Sequence, residues 1–157
     1  MAVKWGVLGT ANIAWGCTIP GMKGANNCEL YAIAGRNEKK VKEFREEFGF
    51  KKAYVGYDNL LEDPDVQAVY IPLPNHLHKE WVLKAVRAGK HVLCEKPLAL
   101  NAEDAKEMFA AARENGVILM EAYAYLHSPY IASLKEDLKR GIIGDVDYIV
   151  TAFVTQS

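Results

Sequence analysis

The chain has 157 residues, half of them apolar, and a formal net charge of −1 with acidic and basic residues interspersed. It carries no basic stripe that would bind nucleic acid, and no apolar run reaches the ~20 residues that a membrane-spanning helix needs. Its three cysteines lack metal-type spacing and no secretory signal peptide precedes them, so we expect a cytoplasmic protein with reduced thiols that binds neither membrane nor nucleic acid.

The first element is an apolar strand at 3–8, which runs directly into a glycine turn and a helical pattern. The segment Gly9-Thr10-Ala11-Asn12-Ile13-Ala14 aligns on the dinucleotide-binding pattern G-x-G-x-x-G/A, whose helix start binds pyrophosphate. Only the first glycine of the pattern is kept, so a tight turn without a ligand is the alternative. The predicted cofactor contacts in this segment are Gly9, Thr10, Ala11, Asn12 and Ile13.

The second strand, at 29–35, ends in Arg36-Asn37 before a charged helix at 38–48. In NAD-binding units an acid at this strand end bonds the adenosine ribose, whereas an arginine accommodates the 2′-phosphate of NADP. A guanidinium matches a phosphate and a carboxylate would repel one. Arg36 therefore favours NADP as the cofactor, with NAD as the alternative. Arg36 could also be an ordinary surface residue at the start of a helix.

The rest of the chain continues the alternation of helices and strands. The predicted order is a short helix at 57–61, a strand at 66–71 that stops at Pro72-Leu73-Pro74-Asn75, a helix at 76–88 capped by Asn75, a strand at 91–94, a helix capped by Asn101, and a strand at 117–120. The inward face of the Asn101 helix is predicted to be Ala102, Ala105, Met108, Phe109 and Ala112. This order predicts an α/β protein with a doubly wound parallel sheet of Rossmann type.

The strand at 91–94 runs into Cys94-Glu95-Lys96-Pro97. Ligands of open α/β sheets collect at the carboxyl ends of strands, so Lys96 is a catalytic candidate. A solvated turn residue beside a proline is the alternative. The His76-Leu77-His78 pair suggests a metal site, but no cysteine or acidic cluster stands with it, and we predict no metal.

Together these motifs resemble the Gfo/Idh/MocA oxidoreductases over essentially the whole chain. The resemblance rests on the Gly9 turn, the Pro72-Leu73-Pro74-Asn75 stop with His78 after it, the segment from Gly89 to Pro97, and Met120-Glu121-Ala122. Arg36 and the region from Glu121 to Pro129 are similar to the branch of glucose-fructose oxidoreductase and dimeric dihydrodiol dehydrogenase.

The resemblance implies hydride transfer between a nicotinamide cofactor and a sugar, polyol or dihydrodiol-type alcohol. It implies that Lys96 touches the reacting oxygen and that the Lys96–Pro97 peptide is cis. A lysine buried beside the cofactor could exchange a proton with that oxygen, and Glu95 would position Lys96, contact the nicotinamide ribose or serve only as a salt-bridge partner. The remaining implied cofactor contacts are Pro72, Leu73, Asn75, His78, Glu95 and Lys96.

After Met120 the pattern changes to a helix at 130–140 and a strand-like run at 146–154. We therefore expect a dinucleotide-binding domain at 1–122 and, at 123–157, the first helix and strand of an incomplete substrate and dimerisation domain. The family resemblance implies that the rest of such a domain is a mostly antiparallel sheet. On this interpretation residues 1–157 alone have no turnover. We expect the segment at 146–154 to be disordered, folded back on the nucleotide domain or paired with another copy in a homo-oligomer, and pairing or disorder is favoured over a stable solitary strand.

Two further hypotheses remain open from the sequence. The chain could be a stand-alone NADP-binding sensor or regulatory module in which Lys96 does no chemistry, although the retained Glu95-Lys96-Pro97 motif favours the oxidoreductase. A methyltransferase-like domain would use the same glycine turn for S-adenosylmethionine. In that case an acid, and not Arg36, would be expected after the second strand.

Overall fold

The computed structural model of the chain describes residues 2–152 and 154. The chain separates into two compact units, residues 1–122 and 123–157. Within the described residues, none of the helices has the length and apolar character required to cross a lipid bilayer.

The first unit is built on a six-stranded, all-parallel sheet, which confirms the predicted Rossmann-type fold. The strands are β1 (Val3–Leu8), β2 (Cys28–Gly35), β3 (Lys52–Val55), β4 (Ala68–Ile71), β5 (His91–Cys94) and β6 (Leu119–Glu121). Their order is β3-β2-β1-β4-β5-β6. The order reverses between β1 and β4, and open α/β sheets bind ligands at this kind of switch point.

Helices cover both faces of this sheet. A helical run at 12–24 is π-helical over Ala14–Thr18 and α-helical over Ile19–Gly24, which is α1. The others are α2 (Glu38–Phe48), α3 (Asp58–Glu62), α4 (Asn75–Arg87) and α5 (Ala102–Glu114). The predicted helix at 38–48 is confirmed at both ends.

Asparagine side chains cap α2 and α5, of which only the cap on α5 was predicted, and the cap predicted for α4 is not formed. Asn37 Oδ1 accepts the Lys40 amide hydrogen at 3.0 Å, and Asn101 Oδ1 accepts that of Asp104 at 2.8 Å. Asn75 is instead the first residue of α4, with no side-chain cap. The prediction for Asn75 is wrong because Pro74 occupies the cap position and its carbonyl accepts the Leu77 amide hydrogen at 2.8 Å.

The inward face of α5 is narrower than predicted. Met108, Ala111 and Ala112 are buried, whereas Phe109 is 39% exposed and Ala102 is exposed. Successive helical residues are about 100° apart, so Phe109 falls beside the stripe formed by 108, 111 and 112 and not on it. The helix therefore packs on the sheet through small side chains and one methionine.

The second unit contains a 3₁₀ turn at Ala124–His127 and α6 (Pro129–Lys139), which confirms the helix predicted at 130–140. The strand predicted at 146–154 is not formed at 146–152 or at 154, and Phe153 lies outside the described residues. A strand needs a hydrogen-bonded neighbour, and the described part of this unit contains no strand that could be one.

Candidate functional site

A cleft of about 510 Å³ opens at the carboxyl ends of β1, β2 and β4. It lies at the switch point of the sheet, where β1 separates β2 from β4. The lining residues come from the turn after β1, the start of α2, the residue before α3, and the segment after β4: Gly9, Thr10, Ala11, Arg36, Asn37, Lys40, Tyr57, Pro72, Leu73 and Pro74. Six of the predicted cofactor contacts are among them.

Two glycines beside this cleft have no room for a side chain. Gly9 has φ +135°, and a Cβ there would lie 3.1 Å from Leu73 Cδ2. At the end of β2, a Cβ on Gly35 would lie 2.8 Å from Val41 Cγ2 and 3.2 Å from Thr10 Cγ2. Gly9 therefore leaves the backbone of the turn open on its cleft side, whereas Gly35 allows Val41 and Thr10 to pack closely on the end of β2.

The helical run at 12–24 starts directly after this turn. Ala14 is fully buried, which is the close helix-to-strand packing that the dinucleotide pattern requires. Asn12 and Ile13 are exposed and do not line the cleft. Their amides belong to the first turn of the helix, where backbone donors lack acceptors within the helix and attract an anion.

Two cations line the same cleft beside the turn. Arg36 and Lys40 are both exposed, and Asn37 between them is held by its cap on α2. No carboxylate within residues 2–152 and 154 forms a salt bridge with either of them, so both charges are free for a ligand. The sequence analysis did not identify Lys40 as a site residue. Its position four residues after Arg36, in the first turn of the next helix, could have indicated it.

The opposite wall is the segment that follows β4. Pro72 and Leu73 are buried, and Tyr57 packs edge-on against Trp81 with ring centroids 4.8 Å apart. Asn75, a predicted cofactor contact, is exposed at the start of α4 and does not line the cleft. Tyr57 was missed because it precedes a short helix with no motif around it.

Residues 95–98, here called the lysine turn, follow β5 at the same edge of the sheet. The Glu95 amide donates to Ile71 O at 3.1 Å, and the Leu98 amide donates to Glu121 Oε1 at 2.8 Å. The Lys96–Pro97 peptide is cis, as the family resemblance implies. The turn is therefore tied to the ends of both neighbouring strands, β4 and β6.

His78 ties the lysine turn to the cleft wall. Its side chain is fully buried, with Nδ1 2.9 Å from Pro97 O and Nε2 2.8 Å from Leu73 O. Both ring nitrogens are occupied by backbone carbonyls, so the imidazole has no free nitrogen to offer a cofactor. His78 therefore bridges the lysine turn and the segment after β4, and its predicted place at the cofactor site stays a prediction.

The two candidate catalytic side chains differ in their surroundings. Lys96 is exposed, and no acceptor for its ammonium group occurs within the described part of the chain. Glu95 is half-buried, and its Oε1 accepts a hydrogen bond of 2.6 Å from the Tyr70 hydroxyl. Its Oε2 accepts the Lys96 amide hydrogen at 3.2 Å, so Glu95 bonds the backbone of Lys96 and not its side chain.

Tyr70 is a third residue of this site that the sequence did not single out. Burial, together with its hydrogen bond to Glu95, raises the pKa of Tyr70 above its ordinary value. The hydroxyl is therefore protonated at neutral pH and donates to the carboxylate.

Within the described residues no cluster of three or more metal-ligating side chains occurs.

Comparison with known proteins bears on this site. Residues 3–123 match the Gfo/Idh/MocA model, described as an oxidoreductase family with an NAD-binding Rossmann fold. The chain is 43% identical over 151 residues to dTDP-3,4-didehydro-2,6-dideoxy-alpha-D-glucose 3-reductase of Actinomadura kijaniata, covering 96% of this chain and 45% of that protein. It is 39% identical over 147 residues to mouse trans-1,2-dihydrobenzene-1,2-diol dehydrogenase, covering 93% and 44%.

The fold is also shared with a solved structure. KijD10, a 3-ketoreductase from Actinomadura kijaniata crystallised with NADP and TDP-benzene, superposes with a TM-score of 0.85 at 44% identity, covering 90% of this chain and 43% of that one. The chain thus spans less than half the length of these curated relatives. The resemblance predicted from the motifs is confirmed.

Proposed function

This chain belongs to the Gfo/Idh/MocA oxidoreductase family, and we propose that it is the cofactor-binding portion of an NADP-dependent oxidoreductase acting on a sugar, polyol or dihydrodiol-type alcohol. The observation that carries the proposal is the cleft at the switch point. It combines a glycine turn that opens the backbone to a pyrophosphate with two cations, Arg36 and Lys40, that form no salt bridge within the described residues.

The residues of this cleft fit NADP better than NAD. The ribose-binding position after β2 carries Arg36 and no acid, and a carboxylate there would repel a 2′-phosphate. The Arg36 guanidinium suits that phosphate as a fork, and Lys40 adds a second positive charge from the first turn of α2. A relative that is similar along most of this chain has been crystallised with NADP, which supports the same assignment.

A bound nicotinamide cofactor supplies or accepts the hydride at the carbon that bears the reacting oxygen. In this proposal Lys96 contacts that oxygen, because it stands exposed at the carboxyl end of β5 with its ammonium unpaired in the described chain. As a proton donor it stabilises the negative charge that develops on a carbonyl oxygen during reduction. The Glu95 carboxylate is held by the Tyr70 hydroxyl and the Lys96 amide, and in this proposal it acts as a fixed hydrogen-bond acceptor and not as a salt-bridge partner of Lys96.

The proposal extends to location and assembly. The free thiols of Cys17, Cys28 and Cys94 agree with a reducing, cytoplasmic environment. The second unit exposes aromatic and apolar side chains, which suit a homo-oligomer contact: Tyr123, Tyr125, Leu126, Tyr130, Ile142 and Ile143. Light scattering over a range of protein concentrations tests this part, and a monomer at every concentration would contradict it.

A thermal-shift panel with NADP, NAD and S-adenosylmethionine tests the cofactor assignment on this chain. A ligand at 100 times its dissociation constant adds about 2.7 kcal/mol of stability, so NADP should raise the melting temperature clearly and at lower concentration than NAD. S-adenosylmethionine should leave it unchanged. A shift with S-adenosylmethionine alone, or with none of the three, would overturn the proposal.

A further inference from the structure

Three side chains form a continuous hydrogen-bonded chain from the first helix to the lysine turn. The Thr18 hydroxyl donates to the Tyr70 hydroxyl at 2.9 Å, and the Tyr70 hydroxyl donates to Glu95 Oε1 at 2.6 Å. The three residues stand on the helical run at 12–24, on β4 and directly after β5. These hydrogen bonds therefore connect the helical run that follows β1, through β4, to the residue after β5.

The direction of these hydrogen bonds is determined by the acceptor at one end. An ionised carboxylate can only accept, so Tyr70 must use its single hydrogen for Glu95. The lone pairs of Tyr70 are then left for Thr18, which must be the donor. The Thr18 hydroxyl donates to Tyr70 and the Tyr70 hydroxyl donates to Glu95, which restricts the orientation of the Glu95 carboxylate.

Tyr70 is held too firmly to follow a moving carboxylate. Its side chain is fully buried in the core formed with Val7, Ile19, Ile33 and Phe44, so its hydroxyl is a fixed point at the sheet edge. The second oxygen of Glu95 accepts the Lys96 amide hydrogen at 3.2 Å. The carboxylate is thus fixed through both oxygens, while its half-buried position leaves other lone pairs open to a ligand.

The π-helical turn over Ala14–Thr18 gives Thr18 its position. A π-helical turn takes in one more residue than an α-helical turn, which changes the direction of the following side chains by roughly 100°. Such turns are frequent at functional sites. Here the turn ends at Thr18, the residue that reaches Tyr70, on the same helical run that begins beside the Gly9 turn.

The placement of the cofactor then identifies what Glu95 faces. With the adenosine phosphate at Arg36 and the pyrophosphate at the Gly9 turn, the far half of the dinucleotide crosses from β1 toward the ends of β4 and β5. Glu95 stands directly after β5. A fixed carboxylate acceptor at that place matches the paired hydroxyls of the nicotinamide ribose.

We propose that Tyr70 and Thr18 are positioning residues that hold the Glu95 carboxylate against the nicotinamide-ribose half of the cofactor. This inference rests on the proposed function. It assigns part of the NADP affinity to a buried hydroxyl pair that touches no ligand itself.

The test compares NADP with adenosine 2′,5′-bisphosphate, which carries the 2′-phosphate but lacks the nicotinamide ribose. Calorimetric titration of this chain should give about three- to tenfold weaker NADP binding in Tyr70→Phe, because one hydrogen bond is lost. Binding of the bisphosphate should stay within twofold. Tyr54→Phe is the matched control, since it removes a tyrosine hydroxyl bonded at 2.7 Å to the carboxylate of Asp63, outside the cleft, and both ligands should bind it as they bind the unmutated chain.

A double-mutant cycle separates positioning from general stability. In a Glu95→Ala background, Tyr70→Phe should have no further effect on NADP, because its only route to the cofactor is gone. Equal weakening of both ligands by Tyr70→Phe, or its full effect without Glu95, would overturn the inference. If the unmutated chain binds neither ligand, the proposed function has failed and not this positioning step alone.

Thr18→Val gives an independent variant in case Tyr70→Phe does not fold. It keeps the side-chain shape and removes the hydroxyl that donates to Tyr70. It should weaken NADP by a smaller factor, about two- to threefold, and spare the bisphosphate. Unchanged NADP binding in a folded Thr18→Val would also contradict the inference.

Discussion

The lysine turn lies on the same edge of the sheet as the end of the cleft that carries Arg36 and Lys40, here called the cation end. The two regions differ in how many hydrogen bonds hold them. The turn is fixed by hydrogen bonds from every side, through Ile71, His78, Glu121 and Tyr70. At the cation end, Arg36 and Lys40 extend from the surface with no carboxylate partner in the described chain.

The proposed roles of the two ends account for this difference. Chemistry at a carbon needs a proton-exchanging group held within a fraction of an ångström of its working position. Recognition of a phosphate needs charge and donors, which long exposed side chains supply after they close on the ligand. In the proposed roles, the backbone that carries Lys96 is fixed by hydrogen bonds, whereas the two cations for the phosphate stand on exposed segments.

The largest effect is expected from removing the ammonium of Lys96. In a chimera that carries this chain in place of the matching portion of the Actinomadura kijaniata 3-reductase, Lys96→Met should lower turnover about a hundredfold, the lower range for an acid–base group. Melting temperature and NADP affinity should change little, because Lys96 is exposed and without an acceptor in the described chain. Full activity in the mutant chimera, beside an active unmutated one, would show Lys96 to be a solvated turn residue.

The next effect falls on stability, and it separates the two regions directly. Glu121→Ala removes the carboxylate that accepts the Leu98 amide hydrogen at 2.8 Å, and should cost roughly 1.5–3 kcal/mol of unfolding free energy. Arg36→Ala, at the cation end, should change the unfolding free energy by no more than about 0.5 kcal/mol. Urea denaturation measures both, and equal losses would mean that the turn is no better fixed than the cation end.

The third effect is on cofactor choice. Arg36→Ala should weaken NADP binding about tenfold or more, since a charge-assisted contact to the 2′-phosphate is worth roughly 1.5–3 kcal/mol. NAD lacks that phosphate, so its affinity should stay nearly unchanged. Titration of both cofactors is the measurement, and a parallel loss for NADP and NAD would place Arg36 away from the 2′-phosphate.

The smallest effect is expected at Lys40, the second cation. Lys40→Ala should weaken NADP by about threefold, less than Arg36→Ala, because an ammonium contacts phosphate as a point charge and not as a fork. The preference for NADP over NAD should also shrink as salt concentration rises, since both cations are exposed and screened. Lys39→Ala is the matched control on the same turn, as it does not line the cleft.

Sequence patterns predicted the parts of this molecule that local chemistry specifies. The strand before Gly9, the charged helix at 38–48 and the cap at Asn101 appear as predicted. Strand β3 was missed, because it is a short edge strand in which Lys52 and Val55 give no buried alternation. Its place in the sheet comes from pairing with β2, which no local pattern shows.

The residues of the candidate site also differ in whether local sequence patterns could predict them. Motif positions gave Gly9, Arg36 and Lys96, whose proposed roles depend on their place at strand ends. Tyr70 and the bridging role of His78 could not be predicted, because their partners are distant in sequence and meet only when the sheet is assembled. Asn75 shows the reverse case, where a good capping residue lost its role to the proline before it.

The central claim is that this chain binds NADP through the cleft beside Gly9 in preference to NAD. Calorimetric titration of the unmutated chain with each cofactor at the same salt concentration tests it most directly. We predict that NADP binds at least tenfold more tightly, the factor expected from one charge-assisted phosphate contact. Equal affinity for the two cofactors, or no binding of either, would contradict the account.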